Sequence, residues 1–176
     1  MDNFHDPIKI MTYTPAQVAN TFLASYGAAE GISHMKLQKL VYCVHGWWLA
    51  YNTGALLQEK PEVWKFGPVF PSLYHELKVF GITPIKEPVK TSPFDESAPV
   101  VPNTNNGGQQ LIAWVWNRYG HLSAMALSDM THKEGTAWRK IAESRNFRVP
   151  MGLALDDADV REEFTNLKKE FEVRIQ

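Results

Sequence analysis

Six histidines and a single cysteine are the residues with the most chemistry to offer, and their spacing narrows what that chemistry can be. His75-Glu76 begins as a zinc-protease helix would, but Leu77, Lys78 and Val79 follow, so the second histidine of H-E-x-x-H is missing. His132-Lys133-Glu134 has the H-x-E of zinc deaminases, yet the P-C-x-x-C that completes such a site cannot exist when Cys43 is the only cysteine. His34 and His45 fall about three turns apart on one expected helix, too far to share an ion. No metal and no cofactor is expected on these grounds.

Nucleophilic chemistry finds no better support. Cys43 lies in an apolar helical run, where a thiol packs as a small hydrophobe. The patterns G-x-S-x-G, G-x-x-x-x-G-K-[ST] and G-x-G-x-x-G, which build hydrolase elbows and phosphate cradles, are absent. Asp and Glu are plentiful, but no spacing marks an acid–base dyad, and carboxylates paired only by folding are invisible at this level. No catalytic residue is therefore assigned. Basic residues gather at Lys36 and Lys39 and again at Arg139, Lys140, Arg145 and Arg148. Both groups read as solvated faces, or as cations complementing a helix end, ahead of a nucleic-acid surface.

The elements that must position these residues are mainly helical. Thr14-Pro15-Ala16-Gln17 is a capping box with proline at the first helical position, and Val18, Phe22 and Tyr26 follow at helical spacing. Ser33 caps a longer helix from about His34 to Asn52, with Leu37, Leu40, Val41, Val44, Trp48 and Tyr51 as its apolar stripe. Val63-Trp64-Lys65-Phe66 predicts a small strand, and Gly67-Pro68-Val69-Phe70-Pro71 a rigid turn feeding a helix over 72–80. The proline- and asparagine-rich stretch 82–108 reads as a long, solvated loop. Helices return around Leu111–Tyr119, after Ser123 and around Thr136–Glu143, and a tail helix at 156–175 is capped by Asp156. Residues 1–11 show no periodicity and are expected to be a disordered arm, leaving 12–176 as one domain. The expected fold class is thus mainly α, a bundle of about six or seven helices with one small β-strand or hairpin.

Composition agrees with a protein that works in a reducing compartment. Apolar residues make up 44% and charged residues 21%, so there is material for a core, and the net charge of −1 gives no bulk reason to bind nucleic acid. One cysteine forbids an intramolecular disulfide, no apolar run is long enough to span a bilayer, and the N-terminus carries no signal-peptide pattern. The expectation is a cytoplasmic protein without a membrane partner. Trp47-Trp48 and Trp114/Trp116 cannot all face one core, so some aromatic surface should stay exposed or covered by a partner.

Three blocks, Met35-Lys36-Leu37-Gln38-Lys39-Leu40-Val41-Tyr42, Trp64-Lys65-Phe66-Gly67-Pro68-Val69-Phe70-Pro71-Ser72-Leu73-Tyr74 and Leu127-Ser128-Asp129-Met130-Thr131-His132-Lys133-Glu134-Gly135-Thr136-Ala137-Trp138, occur in this order. Together they resemble the Panacea domain family, the group of SocA-like antitoxins and phage-associated GepA-like proteins. The resemblance implies a bacterial or prophage antitoxin that binds a cognate toxin encoded nearby, in one known case delivering it to a cytosolic protease. It attaches no catalytic role to any position. Of the motif positions, Leu37, Leu40, Gly67, Pro68, Val69, Pro71, Thr131 and Trp138 read as architecture. Lys36, Lys39, Tyr42, Trp64, Tyr74 and His132 are the partner-binding candidates, with Lys36, Lys39 and Tyr74 expected at the surface. His132 reads first as a residue that links elements by hydrogen bonds.

Three functions are compatible with these readings: a toxin-neutralising interaction protein, a DNA-binding regulator of its own operon, and an enzyme with a small-molecule site near His132. The first is favoured by the blocks. The tail helix could close the core or join two copies as a homodimer, since both uses need the same apolar stripe.

Overall fold

A computed structural model describes residues 12–174; the expected arm at 1–11 and the last residue of the expected tail helix lie outside the described residues. Among the described residues the order is α1 (Pro15–Tyr26), α2 (His34–Tyr51), β1 (Glu62–Trp64), β2 (Gly67–Val69), α3 (Pro71–Leu77, extended by a 3-10 turn over Lys78–Phe80), α4 (Asn106–Tyr119), α5 (Ala124–Thr131), α6 (Ala137–Ser144) and α7 (Asp157–Arg174). The fold is mainly α with one small antiparallel hairpin.

The helix starts follow from local chemistry. Thr14 and Gln17 form the reciprocal capping box, and Ser33, Asn105, Ser123 and Thr136 each accept a backbone N–H in the first turn of α2, α4, α5 and α6. Asp156 accepts the Ala158 N–H at 3.2 Å as α7 begins. Gly31, with φ 75°, ends the connection between the first two helices.

Helix α2 is the axis of the molecule. It packs against α1, α3, α4, α5, α7 and β2, and every residue from Leu37 to Trp47 is buried. Such a helix has no wet face, so its polar side chains go inside with it. Tyr51, counted in the apolar stripe, is instead 59% exposed at its end. Gly46 explains how α7 comes so close: a Cβ there would lie 2.1 Å from the ring of Phe164. Val160 and Phe164 are buried, and the Arg161 guanidinium donates to the carbonyls of Leu49, Asn52 and Thr53, closing the C-terminal end of α2. The tail helix therefore closes the core.

Two expectations are corrected. The expected strand 63–66 and rigid turn 67–71 are one hairpin, with Glu62 opposite Val69, Val63 opposite Pro68 and Trp64 opposite Gly67 across the reversal at Lys65-Phe66. Pro68 is tolerated because the pair has free edges: its carbonyl points away from β1 toward Lys39, and in extended backbone its donor-less nitrogen lies on that same side. The loop expected over 82–108 ends earlier, since Asn105 caps α4 and 106–108 are helical. Nor is it wholly solvated. Ile85 and Val101 are buried, Ile32 and Ile85 exchange backbone hydrogen bonds of 2.8 and 3.0 Å, and buried Asn20 holds both Val89 (2.8 Å each way) and the Pro99 carbonyl (3.0 Å).

Candidate functional site

The three sequence blocks meet around the hairpin. A two-stranded pair satisfies few of its own backbone groups, and here side chains from three helices supply the missing donors. Trp138 Nε1 donates to the Trp64 carbonyl at 2.8 Å, His132 Nε2 lies 3.2 Å from the Lys65 carbonyl, and Ser128 Oγ donates to the Phe66 carbonyl at 2.8 Å. Lys39 Nζ donates to the Pro68 carbonyl at 2.9 Å. Gln38 then clasps Phe70 on both sides, donating to its carbonyl at 3.1 Å and accepting its N–H at 2.9 Å. Each block thus contributes to one knot.

Lys39 is the residue most changed by tertiary structure. It was expected at the surface; it is 1% exposed, because the helix carrying it is enclosed on all sides. Burial pushes its amine down from 10.5 to about 7, against a smaller opposing effect of Cys43. The packing is tight where its amine meets the hairpin. A Cβ on Gly67 would meet Thr131 Oγ1 at 2.4 Å and Lys39 Nζ at 2.8 Å, and Gly67 itself has φ 98°. Only glycine suits that place.

His132 behaves as the element-linking residue expected. Its Nδ1 lies 2.6 Å from the Ser128 carbonyl, so both ring nitrogens face backbone acceptors, and its ring rests 3.9 Å from that of Trp138. A neutral ring donates to one of these carbonyls and an imidazolium to both.

Beside the knot lies a cleft of about 400 Å³ whose walls include Met35, Gln38, Lys39, Trp64, Phe66 and Tyr74. Trp64 and Tyr74 meet edge to face at 4.8 Å, both half-buried, and Phe66 is 54% exposed at the rim. Two of the partner-binding candidates, Trp64 and Tyr74, are brought together here. Lys36 is elsewhere: half-buried, it donates to the Gly120 carbonyl at 2.5 Å and lies over the Trp116 ring.

Tyr42 belongs to a second buried cluster. It is 1% exposed and donates to Glu163 Oε2 at 2.7 Å, and the Ala137 N–H reaches the same oxygen at 2.9 Å. Burial pushes the Glu163 carboxyl up from 4.5 to about 7, while these two donors pull it down. The same surroundings push the Cys43 thiol up to about 12, so a reactive thiolate is not available there. Glu163 and Tyr42 line a cavity of about 340 Å³ between α5 and α7.

Sequence reasoning missed Glu163, Gln38 and Asn20 as organising residues. Gln38 stood inside a motif block, and Asn20 is a polar residue in an apolar helical run, so both left a trace. Glu163 left none, being one of several acids on α7. The expected exposed aromatic surface is found at Trp114, 41% exposed, while Trp47 is buried. Two members of the basic cluster near α6 are paired locally: Arg139 with Glu143 at 2.5 Å, and Lys140 with Asp159 and Glu162 at 2.7 and 3.2 Å. Among the described residues no three His, Cys, Asp or Glu gather as metal ligands, and no helix is long and apolar enough to cross a membrane.

Antitoxin SocA of Caulobacter vibrioides (strain NA1000 / CB15N) is 29% identical over 154 residues, a span covering 84% of this chain and 80% of the relative. No solved structure matches. The family described as Antitoxin SocA-like, Panacea domain, matches residues 37–139. That stretch is more than half of the chain and runs from the buried core of α2, through the hairpin, to the tryptophan that caps it; the chain belongs to the SocA-like Panacea domain family.

Proposed function

We propose that this chain is an antitoxin, neutralising a cognate toxin in the cytoplasm by binding it and performing no chemistry of its own. The observation that carries this reading is membership of a family named for an antitoxin, together with a relative of that name aligned over most of the chain. The geometry is consistent with it. Both His132 ring nitrogens face carbonyls, and the Cys43 thiol is held protonated, so the residues most capable of catalysis are engaged in structure.

The surface offered to the toxin is the aromatic cleft, with Trp64, Phe66 and Tyr74 as anchors; aromatic side chains of this kind carry a large share of interface energy. Lys39, Tyr42 and His132 act on that surface indirectly, by holding the hairpin and α2 beneath it, and Lys36 lies to one side. Delivery of the toxin to a protease is a further step open to the same complex. A homodimer through α7 has less support, since Val160 and Phe164 are already buried against the chain's own core.

The test is co-expression with the product of the adjacent gene, followed by affinity capture and a growth assay. A stoichiometric complex and rescued growth are expected, with Tyr74→Ala and Trp64→Ala weakening both while the circular dichroism spectrum stays unchanged. Absence of both complex and rescue would refute the antitoxin reading. Survival of the toxin at normal total levels, held in the complex, in rescued cells would leave capture alone, without proteolysis, as the mode of action.

A further inference from the structure

The cavity between α5 and α7 is distinct from the aromatic cleft and has its own chemistry. At its wall stands Glu163, 7% exposed, with no basic side chain paired to it among the described residues. Both donors that reach this carboxylate, Tyr42 Oη and the Ala137 N–H, go to Oε2, and no described protein donor takes Oε1. An ionised carboxylate taken out of water is stabilised only by a partner of opposite charge or by a full set of donors. This one has half a set and faces open volume.

The rest of the cavity has a matching pattern. Leu127, Met130 and Leu167 give apolar walls, and at the rim the exposed Glu134 and Glu170 outnumber Lys133. The volume of about 340 Å³ lies at the lower end of ordinary ligand pockets. A small cation on a short hydrocarbon stem satisfies each of these features at once: the charge meets Glu163, the stem lies on the leucines and methionine, and the rim field favours its entry.

We infer that this cavity is a binding site for an organic cation, a guanidinium or ammonium on a short apolar stem, with the Glu163 carboxylate as its counterion. The same chemistry is presented by a free small molecule and by an arginine or lysine side chain of a bound protein. The inference does not depend on the antitoxin reading.

Titration calorimetry of the full chain with n-butylguanidinium, and with n-butylurea as its neutral isostere, tests it. The guanidinium is expected to bind at least about tenfold more tightly than the urea. Glu163→Gln, which keeps acceptors for Tyr42 and Ala137, should remove that preference. Asn166→Trp, at an exposed position on the cavity margin, should block both probes with Glu163 intact, which decides the matter if the glutamine variant fails to fold. The tripeptide acetyl-Gly-Arg-Gly-amide separates the sources: binding as tight as that of n-butylguanidinium indicates a protein side chain, and exclusion of the peptide indicates a free small molecule. Equal affinity for the charged and neutral probes, no binding of either, or binding untouched by Asn166→Trp overturns the inference.

Discussion

Among the described residues Lys39 and Glu163 are both buried without an opposite charge beside them, and they differ in what surrounds them. The lysine stem belongs to the wall of the aromatic cleft, but its amine is turned onto the hairpin: its contact with Pro68 runs past a glycine that has no room for a methyl group. The glutamate is held on one oxygen only and lines an open cavity. A buried amine taken up by a backbone carbonyl joins elements, here α2 to the hairpin. A buried carboxylate beside free volume keeps one oxygen that no described protein donor takes, and that oxygen is what a ligand can use. Residue type alone does not draw this contrast, since either side chain by itself would have passed as a functional group.

Adding atoms at the closed site should have the largest effect. Gly67→Ala places a Cβ within 2.4 Å of Thr131 Oγ1 in a backbone conformation with φ 98°, and a loss of about 3 kcal/mol or more is expected in chemical denaturation. A loss below about 1 kcal/mol would mean that the packing between Gly67, Thr131 and the Lys39 amine is loose.

Lys39→Met comes next. It leaves the Pro68 carbonyl without its donor, and about 2 kcal/mol of stability should be lost at alkaline pH. Its pH dependence is diagnostic. With the folded amine at about 7 and the unfolded amine near 10.5, the unfolded chain holds more protons between those values, so wild-type stability rises with pH across that window. The methionine variant should lack that rise, measured as denaturation midpoints over the same range.

Glu163→Gln should change the slope with opposite sign. The folded carboxyl is raised from 4.5 to about 7, so its stabilising contribution is complete below 4.5 and is lost as pH climbs through about 7. Wild type should lose on the order of 2 kcal/mol across that interval through this group, and the glutamine variant should not. Parallel wild-type and variant curves would show that Glu163 is as well solvated as a surface acid.

The smallest effect is expected at the open site. Asn166→Trp adds a large side chain where there is room, and its unfolding free energy should stay within about 0.5 kcal/mol of wild type. Set beside Gly67→Ala, this variant tests the comparison directly: bulk is harmful where the shell is closed and harmless where it is open.

Much of the fold was legible before the structure. Thr14, Ser33, Ser123, Thr136 and Asp156 start their helices through hydrogen bonds to residues two or three positions away, which is why the reading of these termini succeeded. The site was less legible. Trp64 and Tyr74 were named and do meet, and His132 does link elements, but Lys39 was placed on the wrong side of the surface. Its three-residue spacing from Lys36 suggested a wet stripe, and that inference holds only for a helix with one face in water.

By itself, then, the sequence determined the helical segments, their caps, the order of the motif blocks and the absence of recognised catalytic and metal-binding patterns. Those properties are local or compositional. Tertiary structure alone decided which polar groups are buried, because enclosure of α2 by six other elements is a property of the assembled molecule. It also decided the pairing of Tyr42 with Glu163, 121 residues apart along the chain, and the side-chain clasp around the hairpin carbonyls. No periodicity encodes such contacts: they arise when distant segments, each burying its own apolar surface, must also satisfy one another's remaining hydrogen-bonding groups.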